Sequence, residues 1–538
     1  MIRTLVAALC AFIFAAGCAT TKEARPTEPP PAEAKPQPEE QKPPEPPKPE
    51  PLTAPRPLAT PEPMKRVVLH DPQEPIVTFR LTFRAGAIDD PQGKEGLTAL
   101  TAAVLTEGGT KELSSAQLLD ALFPMAAELD VQTDKELTAF VGRVHQDNLD
   151  RFLKIFGDVL LEPRLDPKEF ERLRQDAINN IKNQLRGQDD ETLGKVALDA
   201  LLYEGHPYAH FNGGTVKGLE AITLDDVKNH WKGVFTQDRL IIGIAGNVTP
   251  ELQARVKERL SALPATSAAR VEFPVPKDQK GRVWILEKPA LSTAISMGFP
   301  YGLRRGDPDF FPVALATSFL GEHRQVNGEL FTELREKRGL NYGNYAYSEH
   351  FIQEGWGTYP RTNIVRRQQD SSIWIRPVEN QNAMFATRGA LYFLDTLLKE
   401  GMSQAQLDQT RGFLMGYTRL QEQTDSRRLG YAIDSLLYGT PDFLESYRSA
   451  MKSMTVDQVN AAIRRHITPE RMSFAFVAPD AKALQQLLAE QPATPIQYPT
   501  PKPDAVLAED KKIEVFQMPV DKERIEVLDV DTFMETTR

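Results

Sequence analysis

Eight histidines, His70, His145, His206, His210, His230, His323, His350 and His466, are the side chains best suited to hold a metal or move a proton. Only His206-Pro-Tyr-Ala-His210 has ligand-like spacing, two imidazoles four residues apart, which would share one face of a helix. Pro207 and Tyr208 suit a turn instead, where that geometry lapses, so the segment reads as a structural loop. The carboxylate pairs Asp89-Asp90, Asp189-Asp190 and Asp225-Asp226 stand at expected turns or helix starts and read as capping groups rather than acid–base pairs. Between Gly187 and Val196 the glycines are too far apart for a phosphate loop, and Val196 replaces the magnesium-binding hydroxyl. No Gly-x-Ser-x-Gly elbow occurs. The two cysteines, Cys10 and Cys18, exclude a disulfide framework and any Cys-rich metal centre.

Any site must be positioned by a body large enough for more than one core, since the chain has 538 residues of which 41% are hydrophobic. Its 64 basic against 74 acidic residues disfavour nucleic acid as a partner. A mean hydropathy of −0.39 and the lack of any later long apolar run exclude a multi-span membrane protein. Arg3, the apolar stretch from Leu5 and the small residues Ala15-Ala16-Gly17 read as a secretory signal. Their junction with Cys18 resembles a bacterial lipobox, which implies lipidation of Cys18. Ala19 after it looks like an outer-membrane address in a Gram-negative cell, with the body facing the periplasm. From Ala19 to Met64 lie 16 of the 42 prolines and few aliphatic residues, so this segment is expected to be a disordered, extended tether. At polyproline pitch such a segment could reach on the order of 140 Å.

Folded sequence begins near Val67. Val77, Phe79, Leu81 and Phe83 alternate with Thr78, Arg80, Thr82 and Arg84, the period of a half-buried strand. Leu97, Leu100, Thr101, Val104 and Leu105 fall on one helical stripe. Helices are predicted at 115–127, 147–161, 167–188 and 191–203, and strands at 130–132, 139–144 and 240–246, an α+β architecture. The chain then repeats itself. Thr223 and Arg239 are echoed at the same interval by Thr455 and Arg471, the Asp90-Pro91 turn by Asp307-Pro308, and Leu202-Tyr203 by Leu437-Tyr438. A repeat this long makes each copy a domain, joined near 264–280.

In that order, the opening strand, Gly96 through Gly109-Thr110, the Gly205-His206-Pro207-Tyr208 loop and Leu334-Arg-Glu-Lys-Arg-Gly-Leu-Asn-Tyr342 resemble the pitrilysin/insulinase family of zinc metallopeptidases. The resemblance implies two homologous insulinase-like (LuxS/metallopeptidase-like) α/β domains forming a half-chamber. The resulting division is a lipoprotein signal at 1–18, a tether at 19–65, domains at 66–270 and 271–500, and a tail with short strands at 501–538.

Active members carry His-x-x-Glu-His on the helix after the first strand, two imidazoles gripping zinc and a glutamate activating its water. Counted from Gly96, those positions hold Ala99, Ala102 and Ala103; counted back from Gly109-Thr110, they hold Leu100, Ala103 and Val104. The third ligand, a glutamate on a later helix, falls near Asn183, and 172–190 contains no glutamate. The resemblance therefore implies no metal or cofactor in this chain and no peptidase activity of its own. Arg335 and Tyr342 match the family's arginine and tyrosine, seven residues apart, that hold the substrate carbonyl or its oxyanion. Tyr342 is expected on the strand after a helix ended by Gly339. Together these features imply a non-catalytic subunit, in a heterodimer with a zinc-bearing family member or in a homodimer, acting on peptide substrate. A lipid-anchored scaffold or peptide-binding envelope protein, and a metallopeptidase with displaced ligands, are the alternatives.

Overall fold

Strand order is where the duplication becomes physical. The computed structural model describes residues 52–537 apart from 268, 270, 323–326 and 354–358; the signal, Cys18 and most of the tether lie outside the described residues. Strands β1 (Lys65–His70), β2 (Ile76–Phe83), β3 (Glu128–Thr133), β4 (Thr138–His145) and β5 (Leu240–Gly246) form a sheet in the order β1-β5-β2-β4-β3. Strands β6 (Val283–Glu287), β7 (Ser292–Tyr301), β8 (Asn344–Tyr347), β9 (Gln369–Glu379) and β10 (Ser473–Ala478) repeat it as β6-β10-β7-β9-β8. Strand β11 (Ile525–Asp529) adds to the outer edge of β6. The sense of pairing repeats too: β1 with β5 and β6 with β10 are parallel, while β2 and β7 are antiparallel to both neighbours.

Helices α1 (Leu97–Glu107), α2 (Pro167–Asn179), α3 (Asp190–Leu202) and α4 (Leu224–Val234) belong to the first half. Helices α5 (Phe310–Gly321), α6 (Asp425–Tyr438) and α7 (Val456–His466) belong to the second, and α8 (Asp504–Ile513) to the tail. Thr223 and Thr455, paired by sequence interval, are the N-caps of α4 and α7, each accepting a bond from the backbone N–H three residues on. Helix α1 starts at Gly96 with φ +102°, where a Cβ would lie 2.9 Å from the Gly213 oxygen, so glycine is required. Asp90 caps that start, its carboxylate accepting from the N–H groups of Gly96 and Thr98 at 2.7 Å each.

The two halves exchange helices. Helix α3 of the first half packs on β7 and β10 of the second sheet, and its counterpart α6 packs across β1, β2 and β5 of the first. This corrects the expectation of a half-buried β2, whose polar face meets protein rather than water. Every residue of β2 from Val77 to Phe83 is buried, and Arg80 donates to Asn363 Oδ1 at 2.7 Å and Ser426 Oγ at 2.9 Å. Ile433 and Leu437 of α6 join Ile241 of β5 in a small apolar cluster between the halves. Burying such side chains contributes roughly 1.5–3 kcal/mol each.

Two further expectations change. The end of the predicted tether is docked: Arg56 pairs with Asp307 at 2.5 Å, the Ala59 N–H donates to the Leu437 carbonyl at 2.7 Å, and Leu58 packs on the cluster between the halves. Few aliphatic residues do not prevent docking when backbone groups and one arginine find partners. In the tail, the expected Ile-Glu-Val strand forms as β11, whereas the expected Glu514-Val515-Phe516 strand does not and lies in the turn that follows α8. Within α8, Val506, Asp510 and Ile513 turn inward at helical spacing.

Candidate functional site

Helix α1 occupies the place where the resemblance puts a zinc helix. Ala99 and Ala103 are half-buried on one face, whereas Leu100 and Val104 are 3% and 1% exposed in the core. In the register counted from Gly96, both ligand positions lie on that half-buried face. Ala102, the position of the catalytic base in that register, is fully buried in the apolar core. Asn183 is exposed on a π-helical stretch, Asn180–Leu185, which interrupts the continuous helix expected over 167–188. The acids beside α1 are engaged by one guanidinium: Arg172 lies 3.8 Å from Glu107, 2.9 Å from Glu169 and 3.0 Å from Asp176. Methyl groups and an exposed amide do not fit a zinc ion, and no hydrolytic step can be routed through α1.

His206 and His210 serve separate partners, as expected of a structural loop. The His206 ring packs between Tyr203, Tyr208 and Phe273, and its Nδ1 accepts from the Tyr208 N–H at 3.1 Å. Burial, followed by the nearby Arg367 and Lys135 charges, lowers its pKa to about 4. The His210 Nε2 meets Asp90 Oδ2 at 3.2 Å.

Arg335 also lies on a π-helical stretch, Phe331–Lys337. Gly339, at φ +69°, turns the chain out of it, and Tyr342 follows in the loop before β8 rather than on the strand itself. The Arg335 guanidinium sits 4.5 Å from the Tyr342 ring centre and 4.4 Å from that of Phe331, so arginine and tyrosine form one stacked unit. Tyr342 is 65% exposed. Neither polar end has a hydrogen-bond partner among the described residues. Arg376 reaches the other side of the unit, 5.2 Å from the Tyr342 ring, and its Nε is 2.9 Å from Glu191 at the start of α3.

The stretch bearing Arg335 is anchored from behind. The buried Arg338 donates to Glu333 at 3.0 Å, and to Glu509 and Asp510 of α8 at 2.7 and 2.8 Å. Sequence reasoning missed Arg338, because a charge run near a helix end ordinarily reads as a solvated face.

Where α3 meets β9, a cavity of about 750 Å³ opens between the halves, lined by Lys135, Asp199 and His210 on one side and His350, Asp370 and Arg376 on the other. Arg366 is buried beside it, 3.5 Å from Asp134, 4.0 Å from Asp199 and 3.9 Å from Asp370. Burial, the largest single influence, raises the Asp134 pKa, but Arg366, His350 and Lys135 together outweigh it and hold the carboxylate down at about 2. Asp370 moves the other way, raised by burial and by Asp199, with the Tyr203 hydroxyl donating to it at 3.0 Å.

A duplicated α+β unit with its helices exchanged across two matching sheets, and a degenerate motif on α1, define a peptidase-like body without a peptidase centre. Residues 65–207 match the model of the insulinase family, peptidase family M16, and residues 221–414 that of the peptidase M16 inactive domain. The chain belongs to the M16 insulinase family, as a member without the peptidase motif. It is similar to the non-peptidase homolog YmxG of Helicobacter pylori, 24% identical over 417 residues that span 75% of this chain and 89% of that protein. Among solved structures, a peptidase M16 inactive domain from Pseudomonas fluorescens aligns over 79% of this chain and 98% of its own, with a TM-score of 0.69 and 23% identity. A chain of Complex III2 from Candida albicans aligns over 77% and 93%, with a TM-score of 0.60 and 14% identity.

Proposed function

We propose that this protein is a non-catalytic subunit of an envelope peptidase, paired with a zinc-bearing member of the same family. In this reading its concave half faces the partner, and Arg335 and Tyr342 hold the carbonyl of a peptide bound at the partner's zinc. The observation that carries it is a contrast between two places. The zinc positions Ala99, Ala103 and Asn183 are chemically blank, while the half-buried Arg335 and the exposed Tyr342 stand stacked and without hydrogen-bond partners among the described residues. Two donors aimed at a developing oxyanion can each supply about 2.7–4 kcal/mol of transition-state stabilisation. Lipid on Cys18 would tether the complex to the periplasmic face of the outer membrane, and the proline-rich segment would set its reach.

The partner is to be captured from native membranes by a tag on this chain and identified by mass spectrometry. With the mixed complex in hand, Arg335→Ala and Tyr342→Phe are expected to lower peptide turnover by about 10- to 1,000-fold with assembly intact. Unchanged turnover in both variants refutes action in trans. Loss of membrane association in Cys18→Ser tests the anchor separately.

A further inference from the structure

One cluster of ligand-type side chains is independent of the degenerate α1 motif. Asp199 of α3, His350 of the loop after β8 and Asp370 of β9 each offer one donor atom, and these three atoms lie within 4.8 Å of one another. The exchange of helices creates the cluster, since it sets a first-half helix against β10, β7 and β9 of the second sheet. Nothing in the local sequence links the three residues, which are far apart along the chain.

A second observation points to a ligand. The His350 Nε2 is enclosed and has no hydrogen-bond partner among the described residues, yet the residue lines the cavity shared with both aspartates. A buried imidazole nitrogen left unpaired is costly unless something binds it. Asp370 is oriented from behind by the Tyr203 hydroxyl at 3.0 Å, the kind of support that fixes a carboxylate ligand. The His350 backbone N–H donates to Gln369 Oε1 at 3.0 Å, which fixes the loop beside β9.

We propose that Asp199, His350 and Asp370 form a binding site for a divalent transition metal of the zinc class, clasping the two halves across the cavity. One imidazole and two carboxylates make a donor set suited to zinc, cobalt or manganese rather than to a copper(I)-type soft ion. Metal–ligand distances of about 2.0–2.2 Å place donors roughly 3.4 Å apart in a tetrahedron, so donor atoms up to 4.8 Å apart close by up to about 1.4 Å on the ion. Water in the cavity supplies the fourth position. Arg366 is the competing occupant, a cation 3.9–4.0 Å from both aspartates. Its Nη1 makes no hydrogen bond to either of them, and its ion pair with Asp134 draws it the other way.

The test uses the full chain, dialysed against chelator and titrated with Zn²⁺ or Co²⁺. Expected are one equivalent of ion retained on elemental analysis, a rise in Tm, and visible Co²⁺ absorption of a low-coordinate site. His350→Gln and Asp199→Asn should each lower affinity at least about 100-fold, and Tyr203→Phe about 10-fold. His206→Asn, a histidine outside the cluster, should bind as wild type, which separates loss of the site from loss of the fold. Failure of the wild-type protein to retain either ion, or binding undiminished in both His350→Gln and Asp199→Asn, overturns the proposal and leaves Arg366 as the sole counter-charge of the aspartates.

Discussion

His206 offers a quantitative test of the loop that resembles a metal motif. It is 5% exposed, and its pKa falls from 6.5 to about 4 chiefly because burial disfavours the imidazolium. The folded-state value is depressed, so between these limits the unfolded chain binds the extra proton. The stabilisation is therefore complete above pH 6.5 and is lost as the pH falls towards 4. Integrating that difference gives about 2 kcal/mol lost between about pH 7 and about pH 5. His206→Asn removes the titration while its amide oxygen can still accept from the Tyr208 N–H, as Nδ1 does at 3.1 Å. Urea unfolding followed by circular dichroism at both pH values should show the wild type losing about 2 kcal/mol more than the variant. Equal losses would refute the assignment of a buried neutral histidine, because all other titrating groups are common to both proteins.

Arg338→Met leaves Glu333 and Asp510 buried without their shared cation and should destabilise by about 3–5 kcal/mol, measured by urea unfolding. Gly430→Ala would bring a Cβ within 2.0 Å of Thr362 Oγ1, where α6 is seated, and is expected to cost about 1–3 kcal/mol, read from the same titration. Rebuilding the zinc motif should fail at one position in particular. Ala102→Glu buries a carboxylate in the apolar core, at a cost of at least about 3 kcal/mol at neutral pH. Ala99→His and Ala103→His on the half-buried face should each stay within about 1 kcal/mol, and thermal unfolding of the three single variants separates them.

Much of the fold was legible along the chain because local rules governed it. Asp90, Asp189, Thr223 and Thr455 do cap helices, and β4, β5 and α3 lie where periodicity puts them. The blank zinc positions were equally plain, since a methyl group cannot ligate a metal wherever it is placed. The polar stripe of β2 was misleading because alternation reports two different faces and cannot say whether the second meets water or α6. Likewise the docking of residues 52–64 rests on long-range partners, Asp307 and Leu437, that composition does not reveal. One reading stood between these extremes: the arginine and tyrosine seven residues apart were visible, but their stacking is set on a π-helical turn that Arg338 anchors to the tail.

The sequence by itself determined the duplicated α+β body and the absence of a zinc motif, both set by residue types at short, regular spacing. Only the tertiary structure decided the exchange of α3 and α6 between sheets, and with it the meeting of Asp199 with His350 and Asp370. The physical reason is that apolar burial rewards any well-fitting face without regard to its origin in the chain, so the pairing of the halves emerges only from packing.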